Sequence, residues 1–401
     1  MFTLIAAAIL CSAPPTSDTN EDLKQLTQDH TQFAFSLNSA VENSEESLVF
    51  SPFSISTCLS MLYLGARGET ESQMQKGLRL DVDRKNIAKA ANLLNLSLEP
   101  AQGAQGYQLK MANALWVDQD TFLLADFRYA IEKQFRASLN KLNFSAPSEA
   151  ALSINTWTSQ QTQGKIPKLL GPDDINAQTR LVLTNAVYFE GVWKTAFNPK
   201  NTQDWPFHPT PDSSSTAKML HQTASLPYCE NELVQMAALP FVGKSHGGGD
   251  LAFVLILPKS AENWGVMMDE LPKTFNEWLS SLLPQRVELK LPKFTLNTRL
   301  SLNAPLKDLG MEDPFDSSAN FSGIDGMRDL FLSTAVHEAF FALDENGVTA
   351  AAATAAALNM TSAPEKEPPI LLIADHPFLF FIVDLKSQEM LFMGKVLRPS
   401  S

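Results

Sequence analysis

The stretch Asp344–Glu345–Asn346–Gly347–Val348–Thr349–Ala350–Ala351–Ala352–Ala353–Thr354–Ala355–Ala356–Ala357–Leu358–Asn359–Met360–Thr361–Ser362 departs from the rest of the chain. Alanine fills seven of the eight positions Ala350–Ala357, which by propensity reads as helix, and the pair Asp344 and Glu345 suits a helix start. Three features oppose that reading: Gly347 is a poor early helix residue, the run has no large apolar face, and the β-rich segment Leu330–Leu343 precedes it directly. Taken as a strand, Val348, Ala350, Ala352, Thr354, Ala356 and Leu358 share one face, and none is charged or aromatic. From Val348 to Met360 there is neither proline nor an ionisable side chain. Such a segment is suited to enter the middle of an existing sheet, where proline or a buried charge would stop it.

Further β-rich runs lie at Leu109–Val117, Arg180–Phe189, Leu251–Leu257, Val287–Phe294, Phe378–Leu385 and Met390–Val396. Helical patterns lie at Ser51–Leu64, capped by Ser51–Pro–Phe–Ser54, and at Arg84–Leu98 and Glu149–Thr162. Helices dominate the first third and strands the rest, which predicts an α+β fold with mainly antiparallel sheets. No linker, charge block or repeat interrupts Glu21–Leu397, so a single domain over residues 21–401 is expected after a short extension, 1–20.

The chain has 401 residues, 44% of them apolar and 19% charged, and a net charge of −13. That composition supports a large core, while the acidic surface argues against nucleic acid and heparin-like polyanions as partners. Three cysteines, Cys11, Cys58 and Cys229, make neither a disulfide framework nor a metal-ligand spacing. The apolar run Phe2–Cys11 resembles a signal peptide, although it lacks a basic start and Pro14 sits badly for cleavage after Ala13. A secreted or periplasmic location is expected, or a cytoplasmic one if the segment is retained. Leu10 is too large for a lipoprotein site at Cys11, and no other apolar run approaches the roughly 20 residues that span a bilayer, so no membrane partner is expected.

An enzyme has few residues to stand on. None of the six histidines has a recognisable catalytic setting. His337–Glu338 lacks the second histidine of a zinc protease, no Gly-x-Ser-x-Gly elbow is present, and His337 reads as a hydrogen-bonded core histidine. Gly247–Gly248–Gly249 lacks the lysine and helix of a phosphate loop and reads as a hairpin turn. The carboxylates of Glu42–Glu46 read as solvated. No catalytic residue, metal or cofactor is expected.

A set of ordered motifs carries a resemblance. They are Phe50–Ser–Pro–Phe–Ser–Ile55, Asn113–Ala–Leu–Trp116, Ile154–Asn–Thr–Trp157 and Gly164–Lys–Ile–Pro167 in the first half. Leu183–Thr–Asn–Ala186 through Tyr188–Phe–Glu–Gly191 and Trp193 follows, then His337, Glu345 and Gly347, then His376–Pro–Phe–Leu–Phe380 and Phe392–Met–Gly–Lys395. In this order, from about Leu23 to Pro399, they resemble the serpin family. The resemblance implies three β-sheets, about nine helices and an exposed reactive-centre loop. It implies an inhibitor that a protease attacks as a substrate, forming an acyl-enzyme, after which the cut loop inserts into the central sheet and traps the enzyme.

Residue roles follow from the same resemblance. Glu345, Gly347, Val348, Thr349, Ala350, Ala351, Ala352 and Ala353 match the hinge. Trp193, Lys293 and Glu345 match the site at the top of the sheet where insertion begins, and Ser51, Ser54, Asn185 and His337 match the cluster behind its midpoint. The family spacing places the reactive bond at Thr361–Ser362. The stretch from Glu345 to Pro377 is about five residues longer than in an antitrypsin-like serpin, which keeps Met360–Thr361 in reserve. Uncharged candidates point to an elastase-, chymotrypsin- or subtilisin-like serine protease as the covalent partner, with a papain-like cysteine protease as an alternative. A non-inhibitory carrier or chaperone is the other alternative, and a monomer is expected. Sequons begin at Asn95, Asn143, Asn320 and Asn359, the last inside the candidate bond region.

Overall fold

The computed structural model describes residues 17–41, 46–99, 106–243, 251–349 and 368–400. Ala350–Ala353, Met360, Thr361 and Ser362 lie outside them, as do Cys11, Gly247–Gly249, Asn359 and most of the 1–20 extension. Among the described residues the helices are α1 (Ser17–Val41), α2 (Pro52–Gly65), α3 (Gly68–Gly77), α4 (Arg84–Leu98), α5 (Ala125–Tyr129), α6 (Pro147–Gln161), α7 (Asn263–Ser280), α8 (Asn303–Asp308) and α9 (Ser322–Asp325). No helix among them is long and apolar enough to cross a membrane. Ser51 caps α2 by accepting the Ser54 amide on its hydroxyl at 3.1 Å, and Pro52 fills the first helical position, where a missing N–H leaves nothing unpaired. Nearly every residue of α2 is buried, because the helix runs behind the central sheet with packing on all sides.

The early strands are β1 (Leu48–Phe50), β2 (Tyr107–Asp118), β3 (Ser138–Leu142), β4 (Leu181–Val192) and β5 (Gln203–Thr210). Then come β6 (Ser213–Glu230), β7 (Val234–Pro240), β8 (Leu251–Pro258), β9 (Leu283–Pro292) and β10 (Phe294–Ser301). The last five are β11 (Leu332–Leu343), β12 (Gly347–Val348), β13 (Ile370–Ile373), β14 (Phe378–Asp384) and β15 (Glu389–Val396). The run expected as one strand at Val287–Phe294 is broken at Lys293, the residue between β9 and β10.

Six strands form the central sheet in the order β10-β11-β12-β4-β2-β3. The other nine are hydrogen-bonded as β1-β15-β14-β8-β7-β6-β9-β13, with β5 on β6. That second assembly has two wings, which meet only where Tyr228–Glu230 at the end of β6 pairs with Gln235–Ala237 of β7. The three sheets implied by the resemblance are therefore present, with two of them joined through β6.

One buried core packs between α2, the back of the central sheet and β14–β15, and it includes Phe189, Trp193, Phe253, Phe341, Phe380 and Phe392. A second, smaller core lies on the front, where Ile154 of α6 and Ile166, Leu169 and Leu170 after it cover Val182 and Ala186 of β4 and Val336 of β11. The central sheet is thus buried on both faces, which is why its strands read as apolar runs.

Candidate functional site

The unusual feature of the central sheet is the line between β4 and β11. These strands run parallel and pair directly from Leu332↔Leu181 up to Phe340↔Tyr188, through His337↔Asn185. Above that point they part, and β12 sits between them, antiparallel to both: Val348 pairs with Leu343 and Gly191, and Gly347 with Val192. Gly347 and Val348 already occupy a strand position at the tip of a seam that is closed below them.

Gly347 fits there because it has no side chain. With φ at +156°, a Cβ would lie 1.8 Å from the Gly191 carbonyl oxygen. The tip is held by backbone bonds: Asp344 N–H donates to Gly347 O, Trp193 N–H to Asn346 O and Phe197 N–H to Glu345 O, each at 2.9 Å. Thr349, just past the end of β12, has φ at +52°, a left-handed conformation unfavourable for a β-branched residue, while its amide donates to Ala342 O.

Around the tip, Lys293 Nζ lies 2.7 Å from Glu345 Oε2, and the Thr202 hydroxyl donates to Glu345 Oε1 at 2.8 Å. Trp193 Nε1 donates to Asp344 O at 2.9 Å, and its ring stacks on Phe241 at 4.8 Å between centroids. The structure thus brings together Trp193, Lys293 and Glu345. Burial pushes the Glu345 carboxyl up, but the Lys293 ammonium, a backbone amide and the Thr202 hydroxyl outweigh it and hold the group below its ordinary value. Thr202 was not singled out from sequence; it lies in an irregular segment, and only the fold carries it to Glu345.

At the midpoint of the seam, Ser51, Ser54, Asn185 and His337 also meet. Ser51 N–H donates to His337 Nε2 at 3.1 Å, and His337 Nδ1 is bonded to Asn185 Oδ1. An amide donor on one nitrogen and a carbonyl oxygen on the other require the neutral ring with its proton on Nδ1. Complete burial pushes the His337 pKa down to about 3. Asn185 Nδ2 donates to Ser54 Oγ at 2.5 Å and to Asn113 Oδ1 at 2.6 Å, and the Ser54 hydroxyl donates to the same Asn113 oxygen at 3.1 Å. Asn113 was visible in sequence only as part of a motif; its role depends on the register Asn113↔Asn185. Cys58 Sγ closes the cluster 3.5 Å from Asn185 Nδ2, its thiol pushed up to about 12 by burial.

This arrangement contains no nucleophile–base pair, and among the described residues no group of acidic, histidine or cysteine side chains is disposed to hold a metal. The seam between β4 and β11 is flanked by an ion pair and a tryptophan at its mouth and by a neutral polar network at its middle.

A family model described as "Serpin (serine protease inhibitor)" matches residues 28–399. Leukocyte elastase inhibitor of Sus scrofa is 38% identical over 390 residues, covering 94% of this chain and all of that protein. Among solved structures, the highly specific Serpin48 of the insect Tenebrio molitor superposes with a TM-score of 0.83 at 28% identity, covering 94% of this chain and 98% of its own. Uncleaved ovalbumin superposes with a TM-score of 0.81 at 26% identity, covering 94% of this chain and all of its own. The seam, the two clusters along it and these likenesses over nearly the whole length lead to one conclusion: the chain belongs to the serpin family.

Proposed function

We propose that the protein inhibits an elastase-like serine protease as a single-use substrate. The observation that carries this reading is the seating of Gly347–Val348 between β4 and β11, above a stretch where those strands pair directly with each other and no strand lies between them. Continuing the register of Val348 downward would set Ala353 opposite Glu338 and Ala186, Thr354 opposite His337 and Asn185, and Leu358 opposite Leu181. The back-facing residues would then be Val348, Ala350, Ala352, Thr354, Ala356 and Leu358, all small or apolar and none charged. Insertion would replace one parallel ladder by two antiparallel ones and allow Thr349 to leave its left-handed conformation, which is worth about 1–2 kcal/mol. The protease serine would attack the carbonyl carbon of Thr361, with Met360 in reserve, and release a new amino terminus at Ser362. Ala350–Ala353 would complete the hinge. The uncharged bond region and the likeness to elastase inhibitors support an apolar primary pocket in the target. Export would follow if Phe2–Cys11 acts as a signal.

Mixing the protein with pancreatic elastase is expected to give a covalent complex that survives SDS, and loop cleavage is expected to raise the melting temperature by tens of degrees. Cleavage with neither result would overturn the proposal.

A further inference from the structure

Gly164–Lys165–Ile166 forms the turn by which the chain leaves α6 and passes over the front of the central sheet. Gln163 and Gly164 are both left-handed, with φ at +54° and +77°. Lys165 N–H donates to Thr162 O at 3.0 Å, Ile166 N–H donates to Thr162 Oγ1 at 3.2 Å, and the Ile166 side chain is fully buried. The backbone that carries Lys165 is therefore fixed at a set height above the strands. Its ammonium lies 5.6 Å from the Tyr188 ring centroid and 5.7 Å from that of Phe340, within the range of cation–π attraction to each. Those rings belong to β4 and β11, and Phe340↔Tyr188 is the uppermost pair of the closed seam. Lys165 is exposed and makes no ion pair among the described residues, so its charge is shared between water and these two rings.

We infer that Lys165 is a clasp on the seam, a positioning residue that holds β4 against β11 just below the tip and sets how readily a strand enters. This rests on the insertion reading above. Continuing the register of Val348 places Ala351 between Tyr188 and Phe340. Admitting a strand there would separate the two rings from one inter-strand spacing, about 4.8 Å, to two. An ammonium at unchanged height then keeps at most one ring within about 6 Å, so the clasp exists only while the seam is closed.

That restriction separates a clasp from an ordinary stabilising contact. The experiment compares the full-length protein with its Lys165→Ala and Lys165→Arg variants, each uncleaved and after loop cleavage. It also follows uptake of a synthetic peptide with the sequence Val348–Met360 into the uncleaved forms. Lys165→Ala is expected to lower the melting temperature of the uncleaved form by about 1–3 °C, lower that of the cleaved form by at most half as much and speed peptide uptake about two- to fivefold. Lys165→Arg, which keeps the cation, is expected to match the parent. Equal destabilisation of both forms, or unchanged peptide uptake in Lys165→Ala, would overturn the clasp. A parent protein that gains no stability on cleavage would instead overturn the insertion reading, before any variant is compared.

Discussion

At the mouth of the seam the holding groups are charged and partly wet; at its midpoint they are neutral and dry. The Glu345 and Lys293 side chains are 11% and 32% exposed, whereas Ser54 and His337 have no exposure and Asn185 only 1%. A partly exposed ion pair contributes little net stability and is weakened by salt, so it can break and re-form without endangering the fold. A dry network loses far more when one member is removed, because the others are left with unpaired polar atoms. On the proposed mechanism the two ends divide the work: the mouth yields first, and the midpoint decides whether the strands part any further.

The largest expected effect tests the midpoint. Asn185→Ala leaves the His337 Nδ1 proton and the Asn113 carbonyl oxygen without their bonds to Asn185, and it should destabilise the uncleaved protein by about 2–5 kcal/mol in urea unfolding. A loss below about 1 kcal/mol would erase the contrast with the mouth. Next comes pH. The His337 pKa is depressed from 6.5 to about 3, so above pH 6.5 the ring is neutral in both the folded and the unfolded chain and contributes nothing. Below that value the unfolded chain binds a proton that the folded site refuses. Stability should fall by about 2 kcal/mol between pH 6.5 and about 5, and the fall continues toward the folded pKa. His337→Gln should flatten that slope in denaturant titrations across the range, and an unchanged slope would assign it to other groups.

The smallest effect is at the mouth. Glu345 is held below its ordinary 4.5, so its contribution is present at neutral pH and is lost only as pH falls below 4.5 toward the folded value. Glu345→Gln should cost less than about 1 kcal/mol at neutral pH, with the difference shrinking in high salt. Between pH 6.5 and 4.5 the stability contributed by the midpoint therefore falls, because the unfolded chain takes up the proton that folded His337 refuses, while that of the mouth does not change, and a stability profile through that window separates them.

Periodicity and capping made α2, α4 and α6 legible, with the apolar strands β2, β4, β8, β11, β14 and β15. Elements whose buried face is not apolar were missed. In α1 the inward face carries Thr27, Asp29, His30 and Thr31 among Leu26, Phe33 and Leu37, which breaks the hydrophobic stripe. The long β6 is half exposed, rich in Ser and Thr, and contains Pro227, while α7 holds Pro272 in its interior. The alternation within Val348–Leu358 was readable because it is uniform. The pairing of Lys293 with Glu345 came from family resemblance, since 52 residues separate the two and no local pattern joins them. The roles of Asn113, Thr202 and Lys165 depend on strand register and on irregular segments, neither of which a single sequence encodes in readable form.

Cys58 gives the dry cluster a further property. Its sulfur is completely buried behind β4 beside Asn185, and at neutral pH almost none of it is thiolate, the form that oxidants and alkylating reagents attack. While α2 and β4 stay together the thiol is chemically silent. Each moment at which they separate leaves it open to a reagent, so the protein carries a built-in stopwatch for the breathing of its own sheet.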